Sequence, residues 1–433
     1  MNQPSTHLWH PCSQMKDYEI FKPLCIKQAR GSYIELTDGK KIIDAISSWW
    51  CKSLGHNHPR LKAALLNQLD YFEHVILANT TNELIVNLST QLAQLMSTLK
   101  KVFYASDGSC AVEIALKMSL HARFILGDSK RTQFIALRNS YHGETIGALS
   151  VSDLGMYQAP YSPLLFKTHY ITPVYVSGIN DPLWHDCGAY WEDIELQLAP
   201  FCKIATALIV EPIVQAAGNM KIYSQDFLKR LRLWTEQHHV HLIADEIMTG
   251  LGRTGKMLAC EHANIEPDFL CLGKNLTSGW LPLSAVLTRD DIYYLFYDDY
   301  QTGKAFLHSH TFSGNALAAS VALAALQVLK DESIINHTHH LQLAMNTAMH
   351  EVAKITQCIT GMRGIGAMVA AELNTHETRS RVGFEITRKA SELGALIRPL
   401  GRTLYWTPPL NTPIATIETL KQITIEAIQH VYF

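Results

Sequence analysis

Two side chains capable of covalent and acid–base chemistry, Asp245 and Lys274, each lie just past a short apolar run. Residues 240–244, VHLIA, are rich in branched apolar side chains and lead into Asp245 and Glu246, as expected of a buried strand that delivers a carboxylate at its C-terminal edge. Residues 269–272, FLCL, repeat the pattern and lead through Gly273 to Lys274. If the two runs are parallel neighbours in an open α/β sheet, their ends face one crevice, where ligands of such sheets bind. A carboxylate and a primary amine then meet the same ligand.

An amine that forms a Schiff base and an acid that keeps a pyridine nitrogen protonated are what pyridoxal phosphate requires of its protein. The same stretch also carries Gly250, Gly252 and Gly255 in G-x-G-x-x-G spacing. A dinucleotide fingerprint follows its strand directly and opens a helix, whereas here residues 245–249 intervene and Arg253 sits inside the loop, so a turn is expected instead. His308 and His310 have i, i+2 spacing, but no third ligand lies nearby and metal binding is not expected. Thr311 or Ser313 offers a hydroxyl to a phosphate.

Net charge −2 with 18% charged residues gives no broad basic surface for nucleic acid or an anionic membrane, so the expected partner is a small molecule. Nine cysteines, scattered without a C-x-x-C pair, read as reduced thiols of a cytoplasmic protein. The polar start MNQPSTHLWHPC lacks the basic and apolar regions of a signal peptide. The longest apolar stretch, 316–329, is interrupted by Ser320 and Gln327 and is too short to span a bilayer. At 433 residues more than one domain is expected.

The elements that must position these groups alternate as in an α/β fold with a mostly parallel sheet. After an irregular N-terminal segment, residues 32–36 and 41–44 form a hairpin turning at Asp38-Gly39. Trp49 and Trp50 follow; either both anchor the terminal segment to the core or one lines an apolar pocket. Helices are expected from Pro59 and over 81–95. A strand at 102–105, the turn Ser106-Asp107-Gly108-Ser109 and a helix over 111–121 would aim free N–H groups and a positive dipole end at an anion. The strand 133–138 ends at NSYHGET, where Tyr141 can stack on a flat ring. Strands at 206–210, ending in Glu211-Pro212, and at 283–287, running back across the sheet, flank a helix over 227–237. An alanine-rich helix occupies 316–329. From about Gly364 shorter strands, among them 394–399 and 403–406, and two helices suggest a smaller C-terminal domain, in which Arg398 beside a proline suits a carboxylate clamp.

With SSWW, DGSCAVEIALKM, NSYHGET, EPIVQAAG, ADEIMTGLGRTGKMLACEHANIEPDFLCLGK, HTFSGN and IRPLG in this order, the chain resembles the class III aminotransferases of fold type I almost end to end. Within them it is most similar to the branch that aminates 8-amino-7-oxononanoate in biotin synthesis. The resemblance implies a large domain over 59–315 and a smaller α+β domain built from 1–58 and 316–433. It implies pyridoxal 5'-phosphate held by Lys274, Asp245, Gly108, Ser109 and Tyr141, with His310 and Thr311 at its phosphate and Thr311 supplied by the partner subunit of a homodimer. Lys274, Asp245 and Tyr141 would be catalytic; Trp49, Tyr141, Ser309 and Arg398 would bind substrate. The implied donor is S-adenosylmethionine. Cys12, where that branch commonly has tyrosine, and Ser309-His310, where it commonly has Gly-Pro, leave lysine as an alternative donor; Glu144 replaces the usual aspartate. An aminotransferase for another ω-amine, or a noncatalytic cofactor-binding protein on the same fold, are the competing readings.

Overall fold

A computed structural model of the chain describes residues 7–374 and 381–433; the first six residues of the N-terminal segment lie outside the described residues. A seven-stranded sheet runs in the order Leu99–Ala105, Ser284–Arg289, Phe269–Leu272, His241–Asp245, Ala205–Val210, Gln133–Leu137, Thr168–Ile171. Neighbours are parallel except around Ser284–Arg289, which is antiparallel to both strands beside it. The sheet is covered on both faces, which is why its central strands read as unbroken apolar runs. Alternation along Phe269–Leu272 makes this concrete: Phe269 and Cys271 pack with Ala111 and Ala115 of the helix Gly108–Ile125, whereas Leu270 and Leu272 pack with Ala319 and Ala322 of the helix Ala316–Asp331.

Asp107 starts the Gly108–Ile125 helix by accepting a hydrogen bond from the Cys110 N–H at 3.1 Å. Helical structure therefore begins at Gly108, three residues before the sequence pattern suggests. Gly250 to Gly255 open no helix. They form turns that carry Arg253 into the core, 0% exposed, where Nη1 donates to the Pro408 carbonyl at 2.7 Å and Nη2 to Ser47 Oγ at 3.4 Å. Burial pushes this guanidinium down to about 10.

A second sheet joins the two ends of the chain. Ile26–Arg30, Tyr33–Leu36 and Lys41–Asp44 pair antiparallel, and Ala395–Leu396 adds in parallel to Lys41–Asp44. Ile26–Arg30 is a strand where an irregular segment is expected. The expected strand over 394–399 shortens to Ala395–Leu396, because its partner ends at Asp44, opposite Leu396, where the chain turns away. A third sheet pairs Ile359–Ile365 with Met368–Leu373 and the latter with Thr403–Trp406, so the change of pattern comes before Gly364. Among the described residues no helix is long and apolar enough to cross a membrane.

Between the first hairpin and the first long helix the backbone does something unusual. Ser47, Ser48, Trp49 and Trp50 have φ of 49°, 46°, 69° and 70°, a complete left-handed turn without glycine. Such a conformation costs L-residues roughly 1–2 kcal/mol each. The surrounding structure must supply what holds it.

Candidate active site

The ends of His241–Asp245 and Phe269–Leu272 lie side by side, with Asp245 in register with Cys271. Both Asp245 and Lys274 line a cavity of about 490 Å3, together with Gly108, Ser109 and Tyr141. The next residue along from Asp245 goes elsewhere: the Glu246 carboxylate accepts from the N–H groups of Ala259 and Cys260 at 2.6 and 2.8 Å and fixes the turn behind the site.

Asp245 is tightly held. Oδ2 accepts from Nδ1 of buried His142 at 2.8 Å and Oδ1 from the Ile247 N–H at 3.1 Å. With the proton on Nδ1, the imidazole donates to the carboxylate and fixes its orientation. Glu211, also buried in the cavity wall, accepts from the N–H groups of Tyr141 at 2.9 Å and Ala216 at 3.2 Å. Burial, reinforced by the nearby Asp245 charge, pushes Glu211 up to about 8. Near neutral pH Glu211 thus largely keeps its proton.

Lys274 reaches this cavity from a strained position, φ 29°, immediately after the strand. Its Nζ lies 5.6 Å from the centroid of the Trp50 ring. Burial lowers its basicity, opposed first by the charge of Asp245. The outcome is an amine nearer its reactive neutral form than a surface lysine.

The N-terminus of the Gly108–Ile125 helix opens into the same cavity. A β-carbon at Gly108 would meet Ile247 at 3.0 Å, and one at Gly143, where φ is +125°, would meet Ser109 Oγ at 2.1 Å. Only glycine leaves this cradle open. A buried amine, a fixed carboxylate and a helix N-terminus suited to an anion around one cavity fit a group with a carbonyl, a basic ring nitrogen and a phosphate.

A second cavity, about 870 Å3, adjoins the first and is lined by Cys12, Trp49 and Arg398. The two tryptophans divide: Trp50, 3% exposed, packs edge-on against Tyr405 and walls the Lys274 cavity, whereas Trp49, 41% exposed, faces the second one. Arg398 lies over the Trp49 ring at 4.4 Å and donates from Nη2 to the Cys12 carbonyl at 2.8 Å. Tyr157 touches a lining residue of each cavity, its ring 6.5 Å from that of Tyr141 and its hydroxyl 3.6 Å from Cys12 Sγ. Tyr141 itself donates to Glu144 Oε1 at 3.1 Å.

Ser309, His310 and Thr311 line neither cavity. The Thr311 carbonyl accepts from His74 Nε2 at 2.8 Å, and His310 Nε2 lies 3.0 Å from His308 Nε2. The structure adds His142, Glu211, Trp50 and Tyr157 to the expected residues. His142 stands beside Tyr141 at a strand end, and Glu211 occupies a strand end like that of Asp245, so position alone could have flagged both; nothing local marks Tyr157.

The family model described as "Aminotransferase class-III" matches residues 14–430. The chain is 42% identical over 420 residues to the adenosylmethionine-8-amino-7-oxononanoate aminotransferase of Helicobacter pylori, covering 96% of this chain and 94% of that protein. To the protein of the same name from Aquifex aeolicus it is 36% identical over 415 residues, covering 93% and 91%. Among solved structures, the adenosylmethionine-8-amino-7-oxononanoate aminotransferase of Methanocaldococcus jannaschii superposes with a TM-score of 0.91 at 32% identity, covering 99% and 98% of the two chains. An amine transaminase from an uncultivated Pseudomonas species in its PLP-bound form gives a TM-score of 0.91 at 28% identity, covering 99% and 100%. From the sheet that delivers Asp245 and Lys274 to one cavity and from these likenesses it follows that the chain belongs to the class III aminotransferases.

Proposed function

We propose that this chain is a pyridoxal phosphate-dependent aminotransferase that converts 8-amino-7-oxononanoate to 7,8-diaminononanoate in biotin biosynthesis, with S-adenosylmethionine as amino donor. The observation that carries the reading is the pair of cavities lying on either side of the Trp50–Tyr405 contact, one holding an amine and a carboxylate, the other an aromatic wall ending in a cation. A long amino ketone with a terminal carboxylate suits that shape: Trp49 packs against its alkyl chain and Arg398 pairs with its carboxylate. The relatives named for the same acceptor support it. When bound, pyridoxal phosphate supplies an electrophilic carbonyl and a ring that stores the electron pair released at the substrate carbon. Gly108 and Ser109 would hold its phosphate, Tyr141 its ring face and Asp245 the proton on its ring nitrogen. Lys274 would anchor it and move the proton at the reacting carbon.

In this reading 59–315 form the cofactor domain and 1–58 with 316–433 the smaller one, which lines the substrate side with Trp49 and Arg398 and also lends Trp50 to the cofactor cavity. Thr311, outside the cavities of its own chain, would reach the phosphate of a second copy in a homodimer, flanked by Ser309 and His310.

The test is steady-state conversion of 8-amino-7-oxononanoate with S-adenosylmethionine, run beside lysine because Cys12 stands where the branch this chain resembles commonly has tyrosine. Amination from S-adenosylmethionine supports the proposal, and amination from lysine alone replaces the donor. Arg398→Ala should raise KM for the amino ketone about 30- to 1000-fold, the effect of removing one partner of a charge pair, with a smaller change in kcat. An unchanged KM would remove Arg398 from the site.

A further inference from the structure

The left-handed turn at Ser47–Trp50 sends one tryptophan to each cavity, and three hydrogen bonds from Ile46 and Ser48 converge on one side chain. The Asp44 carboxylate is buried. Oδ1 accepts from the Ser48 N–H at 3.0 Å and the Ile46 N–H at 3.3 Å, and Oδ2 accepts from Ser48 Oγ at 2.8 Å. His56 Nε2 lies 2.8 Å from the same Oδ2. His56 is itself pinned, its backbone exchanging hydrogen bonds with Gly31 at 2.8 and 2.9 Å. At the turn's start Ser47 Oγ donates to the Thr407 carbonyl at 2.6 Å. A right-handed turn between the same ends would direct both indoles differently, because side-chain direction follows backbone hand.

We propose that Asp44, oriented by His56, is a positioning residue for substrate: it holds residues 47–50 left-handed so that Trp49 walls the alkyl-chain cavity against Arg398 while Trp50 stays beside Lys274. This rests on the substrate class proposed above. Neither Asp44 nor His56 lines either cavity, so both act through the tryptophans. A carboxylate suits the task because it accepts from two backbone N–H groups, a hydroxyl and an imidazole at once, which an amide cannot.

The experiment compares the full-length, cofactor-loaded protein with Asp44→Asn, Asp44→Ala and Asp44→Ala/Ser48→Gly. In Asp44→Ala, KM for 8-amino-7-oxononanoate should rise about tenfold, the equivalent of one buried hydrogen bond lost, with kcat within about threefold and cofactor content unchanged. Backbone hydrogen exchange across residues 45–52 should quicken by a similar factor. Glycine at 48 accepts positive φ without strain, so the double variant should recover most of the KM loss. A purely structural role would lower thermal stability and leave KM unmoved. That outcome, or a double variant no better than Asp44→Ala, overturns the proposal. If Asp44→Ala does not fold, Asp44→Asn decides: it keeps an acceptor for the backbone N–H groups but not for Ser48 Oγ and His56 together, and exchange as slow as in the parent chain overturns the clamp. Should the parent chain not aminate 8-amino-7-oxononanoate, the substrate reading fails, while the exchange measurement still tests the clamp.

Discussion

Lys274→Ala should reduce turnover at least about 10^4-fold, since in the proposed reaction one side chain serves both as nucleophile and as the group that moves the proton at the reacting carbon. Fold and stability should change little. Lys274 sits at the rim of an existing cavity and, among the described residues, takes no hydrogen bond to a side chain, so its truncation enlarges that cavity without stranding a partner. An amine whose basicity burial already lowers is also one whose removal relieves a desolvation penalty. The variant should still bind pyridoxal phosphate through Gly108, Ser109 and Asp245, but release it on denaturation after borohydride treatment, which fixes it to the parent protein. Turnover within tenfold of the parent would mean that another amine does the work.

How much of this was legible in the sequence depends on what each feature rests on. His241–Asp245 and Phe269–Leu272 were readable almost to the residue because strands covered on both faces have no polar alternation to blur their ends. Leu99–Ala105 was readable only in part: Lys100 and Lys101 at its start lie towards solvent and look like loop. Ile26–Arg30, an edge strand with largely exposed side chains, had no apolar signal at all. The left-handed turn was hidden for a different reason. Ser-Ser-Trp-Trp contains none of the glycine or asparagine that usually marks positive φ; its conformation is imposed by Asp44 and Thr407, the second of them 360 residues from Ser47.

The site shows the same division. Asp245, Lys274 and the Gly108-Ser109 turn could be placed from strand ends, because a parallel sheet puts those ends in one crevice whatever else the chain does. His142 and Glu211 could not be given roles that way: each matters through the atom it faces, Asp245 Oδ2 for one and the Tyr141 N–H for the other. Arg398 meets Trp49 only because Ala395–Leu396 pairs with Lys41–Asp44, a parallel bridge between the two ends of the chain. Family resemblance named the pair; pairing of the strands explains it.

Those unforeseen partners decide what Asp245→Asn will do. The substitution is isosteric, and its carbonyl oxygen can still accept from the Ile247 N–H. Toward His142 the amide presents N–H where a carboxylate oxygen accepted, so the imidazole must give up its Nδ1 proton and carry it on Nε2, which has no partner among the described residues. The shape of the site survives and its fixed negative charge does not. In the proposed role beside the cofactor ring, loss of this preorganised charge should lower kcat/KM by about 10^2–10^3-fold. The two neighbouring groups should respond in known directions. Asp245 raises Lys274, so removing its charge lowers the amine further; it also raises Glu211, so removing it lets that acid ionise at lower pH than its present value of about 8. Relief of two carboxylates in one buried wall offsets the His142 mismatch, and Tm should stay within a few degrees of the parent. Kinetics and melting together are therefore diagnostic: activity lost with Tm held identifies an electrostatic role, whereas activity and Tm falling together would make Asp245 a structural residue. Turnover within threefold of the parent would place the acid of this reaction elsewhere, with Glu211 the first group to examine.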